Sequence, residues 1–76
     1  MNKMQEIRTS KGMSRSKLAK IVNVPETRII WYDREYDRLS RATFETMLRI
    51  ANALEVKPSE LVEGDELREI LIKNGM

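Results

Sequence analysis

The side chains that most often carry enzyme chemistry are absent from this 76-residue chain, which has no His and no Cys. These two residue types supply the commonest general bases, nucleophiles and metal ligands. Ser14-x-x-Lys17 matches a short string of some serine acyl-transferring enzymes, but the other parts of that signature are missing. The acidic residues between Glu63 and Glu69 lack the spacing of a calcium loop and fit a solvated helix surface. We therefore expect no enzymatic activity, no metal site and no cofactor.

The basic side chains are concentrated in the first two thirds of the chain. Residues 1–54 hold eleven Lys and Arg against six Asp and Glu, net +5, whereas residues 55–76 hold three against six, net −3. This asymmetry indicates a basic face for a polyanion, although a mixed-charge solvated surface explains the counts equally well. No apolar run approaches the roughly 20 residues of a membrane span, and the lack of Cys fits a reducing compartment. We expect one small cytoplasmic domain.

The stretch from Arg15 to Arg34 has the pattern of two short helices joined by a tight turn. Apolar residues repeat at helical spacing on both sides of a break; they are Leu18, Val22, Val24, Ile29 and Tyr32. Asn23 lies at the break and tolerates a left-handed backbone, and Pro25 fits the first turn of the following helix. The pattern predicts a helix-turn-helix.

With its surroundings, this stretch resembles the phage repressor and Cro family of helix-turn-helix proteins. The resemblance covers about residues 4–62. The residues that carry it are Gly12-Met13-Ser14, Leu18-Ala19, Asn23-Val24, Ile29, Tyr32-Asp33-Arg34 and Phe44 to Leu54. Asn23 departs from the family's usual Gly, and the stretch from Glu35 to Ala42 is longer than the family leads us to expect. The resemblance implies an all-α domain of five helices that binds double-stranded DNA and regulates transcription.

The second motif helix, at about residues 25–33, is the expected reader of DNA bases in the major groove. If Ile29 and Tyr32 face the core, four residues face outward, and they match base-reading positions of the family: Glu26, Thr27, Ile30 and Trp31. Glu26 can accept a hydrogen bond from cytosine, Thr27 can contact either base edge, and Ile30 and Trp31 can cover thymine methyls. A core position for Trp31 is the alternative, and Glu26 could instead exclude wrong sequences.

Arginines near the motif are the expected contacts to DNA phosphates, which fix the register of a protein on DNA without reading its sequence. The candidates are Arg15, Arg28, Arg34, Arg38 and Arg41. Arg28 could alternatively pair with Glu26 along the helix. The family resemblance also implies a partly buried ion pair between Arg8 and Asp33, which positions the recognition helix.

The remaining apolar stripes predict the rest of the fold. Gly12 ends a first helix and Ser14 caps the second, while Thr43 caps a fourth. The fourth helix should cover the core with a stripe of five residues: Phe44, Met47, Leu48, Ala51 and Leu54. Lys57-Pro58 should open a short fifth helix, and Leu61 and Val62 should close over the core.

Residues 63–76 are expected to form a C-terminal amphipathic helix outside the helix-turn-helix domain of residues 1–62. Asp65 should cap it, and Leu67, Ile70 and Leu71, with Ile72 beside them, form its apolar face. A homodimer that places two recognition helices on a palindromic operator is our expectation for this face. Packing on the chain's own domain and contact with another protein are the alternatives.

The expected function is therefore a sequence-specific DNA-binding transcriptional regulator, with repression of promoters as the simplest mechanism. The alternative is a protein-interaction module, such as an antitoxin or a regulator's partner, built on the same scaffold.

Overall fold

The structure, a computed structural model, describes residues 2–76; Met1, where the expected domain begins, lies outside them. The described part is all helical and without strands, which confirms the expected fold class. Its α-helices are α1 (Lys3–Ser10), α2 (Arg15–Val22), α3 (Glu26–Arg34), α4 (Phe44–Leu54) and α5 (Asp65–Lys73). Two 3₁₀ turns, Leu39–Arg41 and Pro58–Glu60, lie between these helices, and the second takes the place of the expected short fifth helix. None of these helices has the length and apolarity that crossing a membrane requires.

Side-chain caps begin three of the helices. Ser14 and Thr43 accept hydrogen bonds from the amides of Lys17 and Thr46, at 3.1 and 3.2 Å, as predicted. Asn2, which the apolar pattern did not single out, caps α1 in the same way. Each of these bonds satisfies one of the amides that a helix start leaves without a partner.

Two expected helix starts are shifted by one residue. Pro25 has an extended backbone, with ψ at 144°, and therefore lies just before α3 rather than in its first turn. Asp65 is the first residue of α5 instead of its cap, and its carboxylate pairs with Arg68 at 2.8 Å. Gly64 takes the cap position without a side chain to offer.

The corner between α2 and α3 is made by Asn23, which adopts the predicted left-handed conformation at φ 58° and ψ 51°. The amide of Val24 then donates to the carbonyl oxygen of Ala19 at 3.0 Å, which closes the end of α2. This 6→1 bond is typical of a helix that ends at a left-handed residue. It sets the direction in which α3 leaves the corner.

The main core lies between α1, α2, α3 and α4, and it uses the predicted apolar residues of the motif. On α4 the buried stripe consists of Met47, Ile50, Ala51 and Leu54. Phe44 was expected there, but it lies in the first turn of α4, before this stripe, and is 52% exposed. Ile50 and Leu39, which the sequence analysis did not place in the core, are buried instead.

The C-terminal helix folds back onto the chain's own domain. Leu71 is 6% exposed and belongs to a second apolar cluster with Met47 and Val62, and Leu67 packs against that cluster. Leu71 is thus covered within the monomer, in agreement with the alternative that this helix packs on the chain's own domain, whereas Leu67 is half-buried. Of the three residues assigned to dimerisation, Ile70 is exposed, Leu67 is half-buried and Leu71 is buried.

Candidate nucleic-acid interface

Helix α3 presents two different faces. Ile29, Tyr32 and Asp33 form the buried inner face. The opposite side, which we call the outer face, carries the four residues assigned to base contact: Glu26, Thr27, Ile30 and Trp31. Three of them are exposed and Ile30 is half-buried. Trp31 is 47% exposed, so the alternative of a core position for it is excluded.

Asp33 holds the inner face through two arginines, and we call these three residues the buried arginine cluster. Arg8 Nη2 lies 2.8 Å from Asp33 Oδ2, and Arg15 Nε lies 2.6 Å from the same oxygen. The Asp33 side chain has no exposure to solvent. Arg8 also donates from Nη1 to the carbonyl oxygen of Met13 at 2.8 Å. The cluster thus connects α1, the start of α2 and the inner face of α3.

Arg15 has a second possible use within this cluster. The sequence analysis assigned it to phosphate contact and did not foresee its bond to Asp33. Only its Nε–H donates to that carboxylate, and a guanidinium has four further N–H donors. Because the side chain is 30% exposed, it remains accessible to an anion at the surface.

Beside the outer face lies a groove of about 310 Å³, which we call the Trp31 groove. It runs between α3, the first 3₁₀ turn and the start of α4. Its lining residues are Arg28, Trp31, Tyr32, Arg38, Arg41, Ala42, Thr43 and Thr46. The groove brings together three of the five arginines assigned to phosphate contact. Between the described residues, no ion pair involves Arg28 or Arg41.

Arg38 differs from the other two arginines of the groove because its guanidinium already has partners. Its Cζ lies 5.1 Å from the ring centroid of Trp31, within the range of a cation–π contact. Its Nη1 also donates to the carboxylate of Glu35, which follows the last residue of α3. Arg38 therefore links the end of the helix to the exposed face of its tryptophan.

The site thus combines the exposed outer face of α3, the corner at Asn23 that precedes this helix, and the basic Trp31 groove beside it. A family model described as the Cro/C1-type HTH DNA-binding domain matches residues 3–65 of the chain. The chain belongs to this family. It is thus a DNA-binding regulator of transcription, and α3 is the second helix of its motif. Searches of curated proteins and of solved structures gave no match.

Arg34, by contrast, does not line the Trp31 groove. It lines a separate groove with Asn2, Gln5, Asp33, Tyr36 and Glu63. The structure therefore does not gather all five arginines assigned to phosphate contact on one surface. Arg28 also makes no ion pair with Glu26, which removes the alternative that sequence spacing offered for it.

Tyr32 belongs to the inner face of α3 and also lines the Trp31 groove. Burial raises the pKa of its hydroxyl above the ordinary value of 10.0, and the nearby charges of Arg28 and Arg38 oppose this effect. Burial raises the pKa because it disfavours the charged phenolate, and its influence is larger than that of the two arginines. The hydroxyl therefore stays protonated at neutral pH.

Sequence reasoning missed the contacts that cross helix ends. Glu35 and Arg38 have the i, i+3 spacing of a helical ion pair, but both lie beyond Arg34, the last residue of α3. Trp31 and Arg38 are seven residues apart across the end of α3, and no periodic rule predicts their contact. Thr43 and Thr46 were identified as a cap, and the structure adds that both line the groove.

Proposed function

We propose that this chain is a sequence-specific transcriptional repressor that acts in the cytoplasm by placing α3 in the major groove of double-stranded DNA. One observation carries the proposal: Glu26, Thr27 and Trp31 are exposed on one helix face, directly beside the basic Trp31 groove. A helix presented in this way offers side chains to base edges while arginines reach the flanking phosphates. When it is bound at a promoter, the domain would compete with RNA polymerase for access to the same DNA.

Base contacts are assigned to the outer face, and phosphate contacts to the arginines around it. In this arrangement Thr27 and Trp31 meet base edges or thymine methyls, and Glu26 meets a cytosine amino group. Arg28 and Arg41 meet one strand from the Trp31 groove. Arg15 meets a phosphate at the start of α2 while Asp33 holds its Nε–H in place.

Selection of bound duplexes from a random library, followed by affinity measurements at several salt concentrations, tests this proposal. We expect Thr27→Ala and Trp31→Ala to change the preferred bases. Arg15→Ala should weaken all duplexes alike and lower the salt slope by about one. The protein-interaction module would give no enriched sequence and no steep salt dependence, and that result would replace the proposal.

We further propose that the repressor binds a palindromic operator as a homodimer, because two recognition helices about 34 Å apart read two half-sites. We assign the dimer contact to the side of α5 that the monomer leaves uncovered. Ile70 and Ile72 are the exposed large apolar residues of α5, and Ile70 is the one assigned to dimerisation. Ile21, on α2, has nearly the same exposure as Ile70 and serves as a matched control.

Sedimentation of the free protein and of its complex with a selected duplex tests the homodimer. We expect Ile70→Glu to shift the free protein toward the monomer and Ile21→Glu to leave its association unchanged. Point variants are preferable to removal of α5, which would expose the apolar cluster of Met47 and Val62. A chain that stays monomeric both free and on DNA would exclude the homodimer.

A further inference from the structure

We propose that Arg38 is a positioning residue for base recognition: it fixes the orientation of the Trp31 indole instead of serving as a phosphate contact. The inference rests on the proposed function, in which Trp31 meets DNA bases. Its starting point is the guanidinium of Arg38, whose Cζ lies 5.1 Å from the Trp31 ring centroid while its Nη1 donates to Glu35.

An exposed tryptophan on a helix needs such a restraint to read a base reproducibly. The side chain has two rotatable bonds: a helix leaves mainly two staggered states at the first, the second is broad, and solvent on one side excludes none of these orientations. A planar guanidinium against one ring face favours a single state. Binding then loses less side-chain entropy, and the ring meets the same base edge each time.

The Arg38 side chain is itself held at both ends. Its backbone precedes the 3₁₀ turn Leu39–Arg41, which buried Leu39 anchors in the core. The amide of Arg38 donates to the carbonyl oxygen of Glu35 at 3.2 Å, so the backbone brings the two side chains together. The carboxylate of Glu35 then fixes the far end of the guanidinium.

This arrangement also makes Arg38 a poor phosphate contact. The charge of Glu35 compensates that of Arg38, so the pair adds little positive field to the Trp31 groove. A phosphate could still reach the remaining N–H donors of Arg38, but it would meet a neutral pair, whereas Arg8 and Arg15 share one carboxylate and keep a net positive charge. Arg28 and Arg41, which pair with no other described residue, remain as the cations that can release counterions from DNA.

The chain contains one Trp, so its fluorescence reports on this side chain alone. We propose to compare Arg38→Ala, Arg38→Lys, Trp31→Ala and the groove control Arg28→Ala, each checked for native helix content. Fluorescence quenching by acrylamide and anisotropy of the free protein measure how freely Trp31 moves. Duplex libraries and salt series measure base preference and the phosphate contribution.

We expect Arg38→Ala to increase the quenching rate and the mobility of Trp31 and to flatten the same base preference that Trp31→Ala flattens. The affinity for the selected duplex should fall about 3- to 10-fold with an unchanged salt slope. Arg38→Lys should resemble Arg38→Ala, because an ammonium keeps the charge but lacks the planar guanidinium. Arg28→Ala should instead lower the salt slope by about one and keep the preference.

The two proposals fail in different ways. If Arg38→Ala leaves the quenching rate and the base preference unchanged while lowering the salt slope by about one, Arg38 is a phosphate contact and the inference is wrong. If Trp31→Ala itself leaves the base preference unchanged, the assignment of Trp31 to base contact is wrong. The quenching rate in the free protein still decides in that case whether Arg38 orients the ring.

Discussion

Two arginines contact the inner face of α3 and one arginine contacts its outer face, and the surroundings of the two sites differ sharply. On the inner face, Arg8 and Arg15 share the carboxylate of Asp33, which solvent does not reach. On the outer face, Arg38 contacts Trp31 and the carboxylate of Glu35, where all three side chains are partly exposed. The same type of side chain is therefore buried against the inner face of α3 and partly exposed on its outer face.

This difference in burial indicates which property of α3 each set of contacts controls. A buried carboxylate without its cations is costly, so the buried arginine cluster fixes where the whole helix lies. An exposed cation–π contact contributes little to folding, so Arg38 has its main effect on the orientation of one side chain. We therefore expect mutations to separate the position of the helix from the orientation of the Trp31 side chain.

The largest effect should come from Arg8→Ala, which removes the less exposed of the two cations from Asp33. We expect the free energy of unfolding to fall by about 3 to 5 kcal/mol, because the change weakens the buried pair and leaves the Met13 carbonyl without its Arg8 donor. Urea unfolding followed by circular dichroism measures this. DNA binding should weaken in parallel through the displaced α3.

A matched control is Arg49→Ala, which removes an exposed ion pair with Glu45 one turn away on α4. That variant should lose only about 0.3 to 0.5 kcal/mol. Equal losses in the two variants would show that the buried arginine cluster does not hold α3 in place.

Arg15→Ala should have an intermediate effect, since Asp33 keeps Arg8 as its partner. We expect a loss of about 1 to 2 kcal/mol in unfolding free energy, the size of a charge-assisted hydrogen bond at a partly exposed site. Lys17→Ala, an exposed position on the same helix, is the control and should be nearly neutral. In a double-mutant cycle, Arg8→Ala and Arg15→Ala should be non-additive, because both arginines share one oxygen; strict additivity would argue against the shared site.

The smallest effect concerns Tyr32, which contributes to both the core and the Trp31 groove. Burial raises the pKa of its hydroxyl above 10.0, so the unfolded chain releases this proton at a lower pH than the folded chain does. The stability it contributes is therefore present below pH 10 and is lost as pH rises through the folded pKa. Tyr32→Phe should remove this part of the alkaline decline in unfolding free energy, whereas Tyr36→Phe, at an exposed position, should leave it unchanged.

Much of the fold was predictable because local rules determined it. Periodicity located the motif helices, and the short polar side chains of Ser14, Asn23 and Thr43 indicated where helices begin or turn. Phe44 was misplaced because periodicity names a helix face but not the length over which a neighbour covers it. The packing of Leu71 on Met47 and Val62 depends on tertiary geometry, which the amphipathic pattern of one helix does not contain.

The site was predictable to a smaller degree. The outer face follows from which residues of α3 are buried, and that face was foreseen. The second partner of Asp33 and the contact of Arg38 with Trp31 join segments that are 18 and seven residues apart across helix ends. Composition and spacing hold no information about these contacts, because they depend on the angle at which each chain segment leaves its helix.

The hydrogen bond from the Lys3 amide to Glu63 Oε1, at 2.5 Å, joins two residues that are 60 positions apart. Most helix pairs in this fold are closer neighbours along the chain, and the entropy cost of closing a loop rises with its length. The corner between α2 and α3 can therefore form early on the folding pathway, while the Lys3–Glu63 contact closes late. In the native state this bond joins the start of α1 to the segment that precedes α5, and so it holds together parts of the fold that no short loop connects.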